Sequence, residues 1–196
     1  DGRVQTLARM QDAAELARDR NLALHLDGAR LWNAAAALEA SPAALAEAFD
    51  TVSVCLSKGL GAPVGSVLVG SEALIAEARK WRKMVGGGMR QVGVLAAAGL
   101  HAIDHHRDRV IDDHANAAAL AEGLGGIRDV EIDSVATNMV FATLPVEDDR
   151  AFMEAAAERE LLVRVYDGGQ TRLVTHLDVS SADIGRAIEV ISDLCA

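Results

Sequence analysis

The stretch Val52-Ser-Val-Cys-Leu-Ser-Lys-Gly-Leu-Gly-Ala-Pro-Val-Gly65 joins two kinds of local structure. Val52, Val54 and Leu56 alternate with small residues, the pattern of a strand packed on both faces. Lys58 stands where that strand yields to a Gly-Leu-Gly loop. A lysine there is expected to be desolvated on one side and open on the other. Burial disfavours the charged ammonium, so the free amine becomes usable as a nucleophile towards carbonyls. The rest of the chain is organised around this residue.

Upstream, Leu7 to Arg20 carries apolar and Ala positions at helical spacing and ends at Asn21, a helix-stop residue. Leu22 to Asp27 reads as a strand, and Gly28-Ala-Arg30 turns it into an Ala-rich helix over 31–40. Ser41-Pro42 then starts a helix reaching about Phe49, with Ser as the cap and Pro in the first turn. Downstream of Lys58, residues 65–70 form a short apolar strand between glycines, and Ser71 caps a helix running to about Lys83. This strand–helix–strand order predicts an α/β layered fold with a mainly parallel sheet. Gly86-Gly87-Gly88 predicts a loop whose backbone can approach a neighbour closely. A helical region over 92–124 follows, broken near 103–107. The glycines between Gly123 and Gly126 mark a boundary, so residues 1–124 are read as a large domain and 125–196 as a small α+β domain. Its strands are expected near 130–132, 138–143, 161–165 and 171–175, and its helices over 148–159 and 181–194.

With 196 residues and 51% hydrophobic content, the chain can bury a substantial core. The net charge of −10 argues against nucleic-acid and anionic-membrane binding, which need basic patches. Cys55 and Cys195 make no disulfide framework, and Cys55 reads as a small buried apolar residue, so a reduced, cytoplasmic protein is expected. No signal peptide is seen, and charge or Gly breaks the apolar runs within about 12 residues, short of a membrane span. The chain starts at Asp1 rather than Met, so an amino-terminal portion is expected ahead of it; a processed or tagged chain is the alternative.

Asp27 and Lys58 each close a strand, and one helical crossover separates them. Crossovers of this kind put consecutive parallel strands side by side with their carboxyl ends on one edge, where open α/β sheets bind ligands. A carboxylate and an amine sharing one cleft is what pyridoxal phosphate requires. The amine forms an imine, and the acid keeps the ring nitrogen protonated so that the ring accepts electrons. From spacing alone, Asp27 reads equally well as a turn or capping acid, and Lys58 as a surface lysine.

Four motifs, His25-Leu-Asp-Gly-Ala-Arg30, Leu56-Ser-Lys-Gly-Leu-Gly-Ala-Pro-Val-Gly-Ser66, Arg82-Lys-Met-Val-Gly-Gly-Gly-Met-Arg-Gln91 and Arg172-Leu-Val-Thr-His-Leu-Asp-Val179, occur in this order. Together they resemble the low-specificity L-threonine aldolases, which have the aspartate-aminotransferase-like fold of pyridoxal-phosphate-dependent transferases. The resemblance implies that Lys58 forms the imine, Asp27 partners the pyridine nitrogen and Arg30 neighbours the cofactor ring. It implies Lys83 and Arg90 near the cofactor phosphate, across a subunit interface of a homo-oligomer, and Arg172 on the substrate carboxylate. A dianionic phosphate suits cations beside a glycine loop, and the planar fork of arginine suits a carboxylate. Without the resemblance, Lys83 and Arg90 read as a solvated basic face with Arg79, Lys80 and Arg82, and Arg172 as a surface strand arginine. The family's ring-stacking histidine and phosphate cup are expected before Asp1, which makes this the carboxyl-terminal part of an aldolase, expected to be inactive by itself.

The implied activity is cleavage of β-hydroxy-α-amino acids to glycine and an aldehyde, with glycine formation as its metabolic role. β-Elimination or transamination would use the same Lys58 and Asp27. A truncated, non-catalytic interaction module is the third possibility. His101, His105, His106 and His114 lie on or near one helix, but no ligand motif accompanies them, so a solvated face is preferred over a metal site. His176 reads as a structural, hydrogen-bonded histidine or a cleft residue. Trp32 and Trp81 are expected to pack helices.

Overall fold

The computed structural model describes residues 2–196. The described residues divide into two compact units: Gln5–Arg109, and Val110–Ala196 together with residues 2–4.

In the first unit, α1 (Leu7–Asp19) is capped by the Thr6 side chain and precedes β1 (His25–Gly28). Next come α2 (Leu31–Ala37), α3 (Pro42–Ala46) and β2 (Thr51–Cys55). The Ser41 hydroxyl caps α3 with Pro42 at its start, as its sequence dictates. β1 and β2 pair in parallel, with Asp27 opposite Ser53 and Gly28 opposite Val54. Two side-chain bonds pin the start of this pair: Asp50 Oδ2 accepts from the Leu24 amide at 2.7 Å, and His25 Nδ1 meets Thr51 Oγ1 at 2.8 Å. β3 (Ser66–Gly70) returns antiparallel on the other side of β2, giving the order β1-β2-β3. The parallel character expected of this sheet therefore rests on β1 and β2. The loop between β2 and β3 contains no crossover helix, and a direct return makes an antiparallel neighbour.

β2 is not packed on both faces as its sequence suggested. Val52 and Val54 are buried against Leu31, Ala35 and Leu45, while Thr51, Ser53 and Cys55 on the other face are only half-buried. Helices cover one side of this sheet among the described residues, so burial follows the two-residue period. β3 is exposed throughout, and so is most of α4 (Glu72–Met84), which buries none of its residues. α5 (Gly93–His106) completes the unit.

The second unit begins with α6 (Val110–Gly125) and contains β4 (Glu131–Ala136), β5 (Met139–Thr143), α7 (Asp149–Glu158), β6 (Val165–Tyr166), β7 (Gln170–Val174) and α8 (Ser181–Leu194). Its four strands form an antiparallel sheet in the order β4-β5-β7-β6. Of the strand expected over 161–165 only Val165 is in a strand, the two-residue β6. The main core joins Ala117, Leu120 and Leu124 of α6, Val140 of β5, Phe152 and Ala156 of α7, and Ile184 and Ile191 of α8. The units part at Arg109, ahead of the glycines between Gly123 and Gly126. α6 buries its apolar face with α8 and the β4–β5 hairpin, and this packing assigns it to the second unit. α8 starts with a reciprocal cap: the Ser180 hydroxyl accepts from the Asp183 amide, and the Asp183 carboxylate accepts from the Ser180 amide.

Candidate active site

Parallel pairing decides the geometry of the first unit. β1 ends at Gly28 and β2 at Cys55, side by side and pointing the same way, so Asp27 and the loop carrying Lys58 emerge on one sheet edge. Gly28 keeps the two strands close at that edge. A Cβ there would lie 2.9 Å from the Ser53 carbonyl oxygen and 3.2 Å from Val52 Cγ1.

Asp27 is exposed, and its Oδ1 accepts from the Ala29 amide at 3.1 Å. It thus forms the turn that sequence spacing allowed, and among the described residues no hydrogen bond is found at its Oδ2. Arg30 is half-buried at the start of α2. Lys58 is exposed, not half-buried as its place after a strand suggested. The backbone below it is held nonetheless. The Leu56 amide donates to the Gly65 carbonyl at 3.0 Å, Ala62 to Leu56 at 3.0 Å, and Gly61 to Lys58 at 2.8 Å. Gly61 and Gly65 have φ of +67° and +108°, the left-handed region that this closed loop requires at both turns.

The triple glycine has a local explanation. Gly86 has φ +90° and donates to the Lys83 carbonyl, and Gly87 donates to that of Arg82 at 2.7 Å. This is a Schellman ending for α4. A Cβ on Gly87 would sit 2.6 Å from Arg82 Cγ, and one on Gly88 would sit 3.0 Å from Lys83 Nζ. The close neighbour of this backbone is the end of its own helix. Lys83 and Arg90 flank the turn and are both exposed, and no hydrogen bond or ion pair among the described residues ties either to Asp27 or Lys58. Trp81, expected to pack, is 56% exposed, with its Nε1 on Glu77 Oε1 at 3.3 Å. Trp32 does pack, half-buried against both small cores of this unit.

Arg172 belongs to the other unit. It lies on β7 opposite Phe141, on the exposed alternate positions of the strand. Arg3, Asp133, Ser134, Phe141, Tyr166 and Arg172 line an open cavity of about 540 Å³ on that unit. The Arg164 guanidinium lies 5.6 Å from the centre of the Tyr166 ring. Sequence spacing did not single out Tyr166. His176 is exposed and its Nδ1 accepts from the Asp178 amide at 3.3 Å, the structural role. Cys55 is half-buried on β2, and burial pushes the Cys195 thiol up. No group of three or more His, Cys, Asp or Glu among the described residues is placed to hold a metal ion.

The residues present fit pyridoxal phosphate. Among the described residues no hydrogen bond engages the Lys58 amine or Asp27 Oδ2 at this edge, and two exposed cations, Lys83 and Arg90, flank the glycine turn.

The sequence profile of the beta-eliminating lyases matches residues 1–147. A low-specificity L-threonine aldolase of Escherichia coli is 44% identical over 182 residues, which cover 92% of this chain and 53% of that protein. A probable low-specificity L-threonine aldolase of Arabidopsis thaliana is 41% identical over 188 residues, 93% of this chain and 53% of the relative. The chain therefore spans about half the length of the curated relatives it matches. The crystal structure of a putative L-allo-threonine aldolase from Listeria monocytogenes superposes with a TM-score of 0.82 at 18% identity, over 98% of this chain and 58% of that one. It shares the fold. On the extent of the profile match, the chain belongs to the beta-eliminating lyase family.

Proposed function

We propose that this protein is a pyridoxal-phosphate-dependent aldolase that cleaves L-threonine, L-allo-threonine and related β-hydroxy-α-amino acids to glycine and an aldehyde. The observation that carries this is the parallel β1–β2 pair, whose ends bring Asp27 and the Lys58 loop to one edge. The names of the relatives support the choice of substrate. When bound, the cofactor supplies an aldehyde that condenses with amines and a protonated ring that accepts the electrons of the broken Cα–Cβ bond.

The chain's own residues supply the rest. Lys58 anchors the cofactor through its amine. Asp27 holds the proton on the pyridine nitrogen, because a neighbouring carboxylate favours the cationic form. Oδ2 is the oxygen suited to this, since Oδ1 already holds the Ala29 amide. Arg30 lies beside the ring, and Lys83 and Arg90 neutralise the phosphate. Arg172 orients the substrate carboxylate with two parallel N–H donors.

The family profile gives a specific reason to keep β-elimination as a second reading, since Lys58 and Asp27 serve either chemistry. The full-length protein should release glycine and acetaldehyde from threonine, and little pyruvate from serine or cysteine. Pyruvate as the main product would replace the aldolase by an eliminating lyase. Lys58→Ala should abolish the visible absorption band of the bound cofactor; a band that survives would end both readings.

A homo-oligomer is part of the proposal, with Lys83 and Arg90 reaching the phosphate across a subunit interface. The exposed Trp81, Met84, Val85 and Met89, close to them in sequence, support it, because large exposed apolar side chains are what subunit contacts cover. We place the protein in the cytoplasm, acting in amino-acid metabolism as a source of glycine. No helix among the described residues is long and apolar enough to cross a membrane. The net charge of −10 supports a small-molecule substrate over nucleic acid.

A further inference from the structure

The histidines at the end of α5 do not act alike. His101 and His105 are exposed, with ring centres 4.4 Å apart. His106 is half-buried, and its Nδ1 donates to the main-chain oxygen of Leu60 at 2.7 Å, across 46 residues of sequence. A carbonyl oxygen can only accept, so Nδ1 carries the hydrogen in either protonation state of the ring.

Leu60 lies in the loop that carries Lys58. Its side chain is 0% exposed and packs with Ala62, Ala102, Leu56, Ile103 and Trp32. Gly99, one turn before Ala102, would bring a Cβ within 3.0 Å of Leu56 Cδ1, so α5 lies close against this loop. The loop thus has Lys58 at its exposed crown and Leu60 at its buried root. An exposed lysine gains no orientation from packing around its own side chain. Its position is set by the backbone beneath it, and an error of an ångström at a reacting group is costly.

The geometry points to His106 as a positioning residue for Lys58: by gripping the Leu60 carbonyl it fixes the Lys58 loop to α5. The consequence for catalysis rests on Lys58 being the cofactor's anchor, whereas the grip itself does not. Trp32 connects the same cluster to α2, the helix that begins just after Asp27. The packing that seats Leu60 therefore also seats the element next to the carboxylate.

The test uses the full-length protein with His106→Asn, His106→Gln and His106→Leu. The Asn amide nitrogen stands where Nδ1 stands, the Gln nitrogen stands one bond further out, and Leu has no donor. Hydrogen exchange over residues 56–65 is measured without cofactor, and capture of added pyridoxal phosphate is followed by its visible band and by borohydride trapping on Lys58. His106→Gln and His106→Leu are expected to speed loop exchange and weaken capture, each about tenfold, the scale of one lost hydrogen bond. His106→Asn should restore both. If His106→Leu does not fold, the Asn and Gln pair decides. Unchanged exchange in Gln and Leu, or Asn behaving like Gln, overturns the grip. Faster exchange with undiminished capture overturns the positioning role. A wild-type band independent of Lys58 refutes the aldolase instead, and the exchange data still judge the grip.

Discussion

Asp27 has one oxygen on the Ala29 amide, and no hydrogen bond among the described residues reaches the other, so the same side chain builds the turn and stays exposed. Both meanings that its sequence position allowed are compatible in one conformation, which is why spacing could not separate them. Asp27→Asn preserves the turn acceptor and removes the charge. Steady-state kinetics on the loaded full-length enzyme should show kcat falling on the order of 100-fold, the scale of one catalytic proton-holding group, with little change in thermal stability. An unchanged kcat would assign Asp27 to the turn alone, since asparagine still accepts from the Ala29 amide. His114 makes a different prediction. Its half-burial lowers the pKa from the ordinary 6.5, and the Asp113 carboxylate opposes this only in part. The folded state thus binds fewer protons than the unfolded one below that value, and stability must drop as pH falls through about 6.5. Urea melts between pH 7.5 and 5 should show that drop, and His114→Gln should flatten it.

Among the elements, the helix caps were the most legible parts of the chain. Ser41-Pro42 and Ser71 start helices where sequence placed them, because a cap needs only a few adjacent residues. Asp148 likewise holds the Arg150 and Ala151 amides at 3.0 Å each. Asp148→Ala should destabilise α7 by about 1 kcal/mol in denaturant melts, and Asp148→Ser much less. Less could be read where distant residues decide. The burial of β2 depends on what covers each face, and the triple glycine gave no sign that its neighbour would be Arg82. His106 looked like one of several solvated histidines because its partner, Leu60, lies far off in sequence. Gly28 and Gly87 show the same limit. Gly28→Ala would press against the Ser53 carbonyl and force β1 from β2, and a cost of about 1–3 kcal/mol is expected from such overpacking. Loss of cofactor affinity should accompany it, read by titration, if the edge is where the cofactor sits.

Across the whole molecule, burial is uneven. Among the described residues, the second unit gathers eleven buried apolar residues into one cluster, whereas the first holds clusters of five and three. Stability follows local burial, so amides of α6 and β5 should exchange far more slowly than those of β3 and α4. Hydrogen exchange on this 196-residue chain checks it, and equal protection in the two sets would contradict it. The glycines past α6 tempted the boundary towards residue 124, yet the apolar face of α6 commits that helix to the second unit.

The open flank of β3 has a practical corollary. Val67, Leu68 and Val69 are 43%, 41% and 52% exposed, and among the described residues the strand has a paired neighbour on one side alone. Unpaired main-chain donors and acceptors beside three aliphatic side chains make a template for stray strands. Polypeptide made to these 196 residues and nothing more should therefore collect in inclusion bodies, and a lysine substituted at Leu68 should keep more of it in the supernatant.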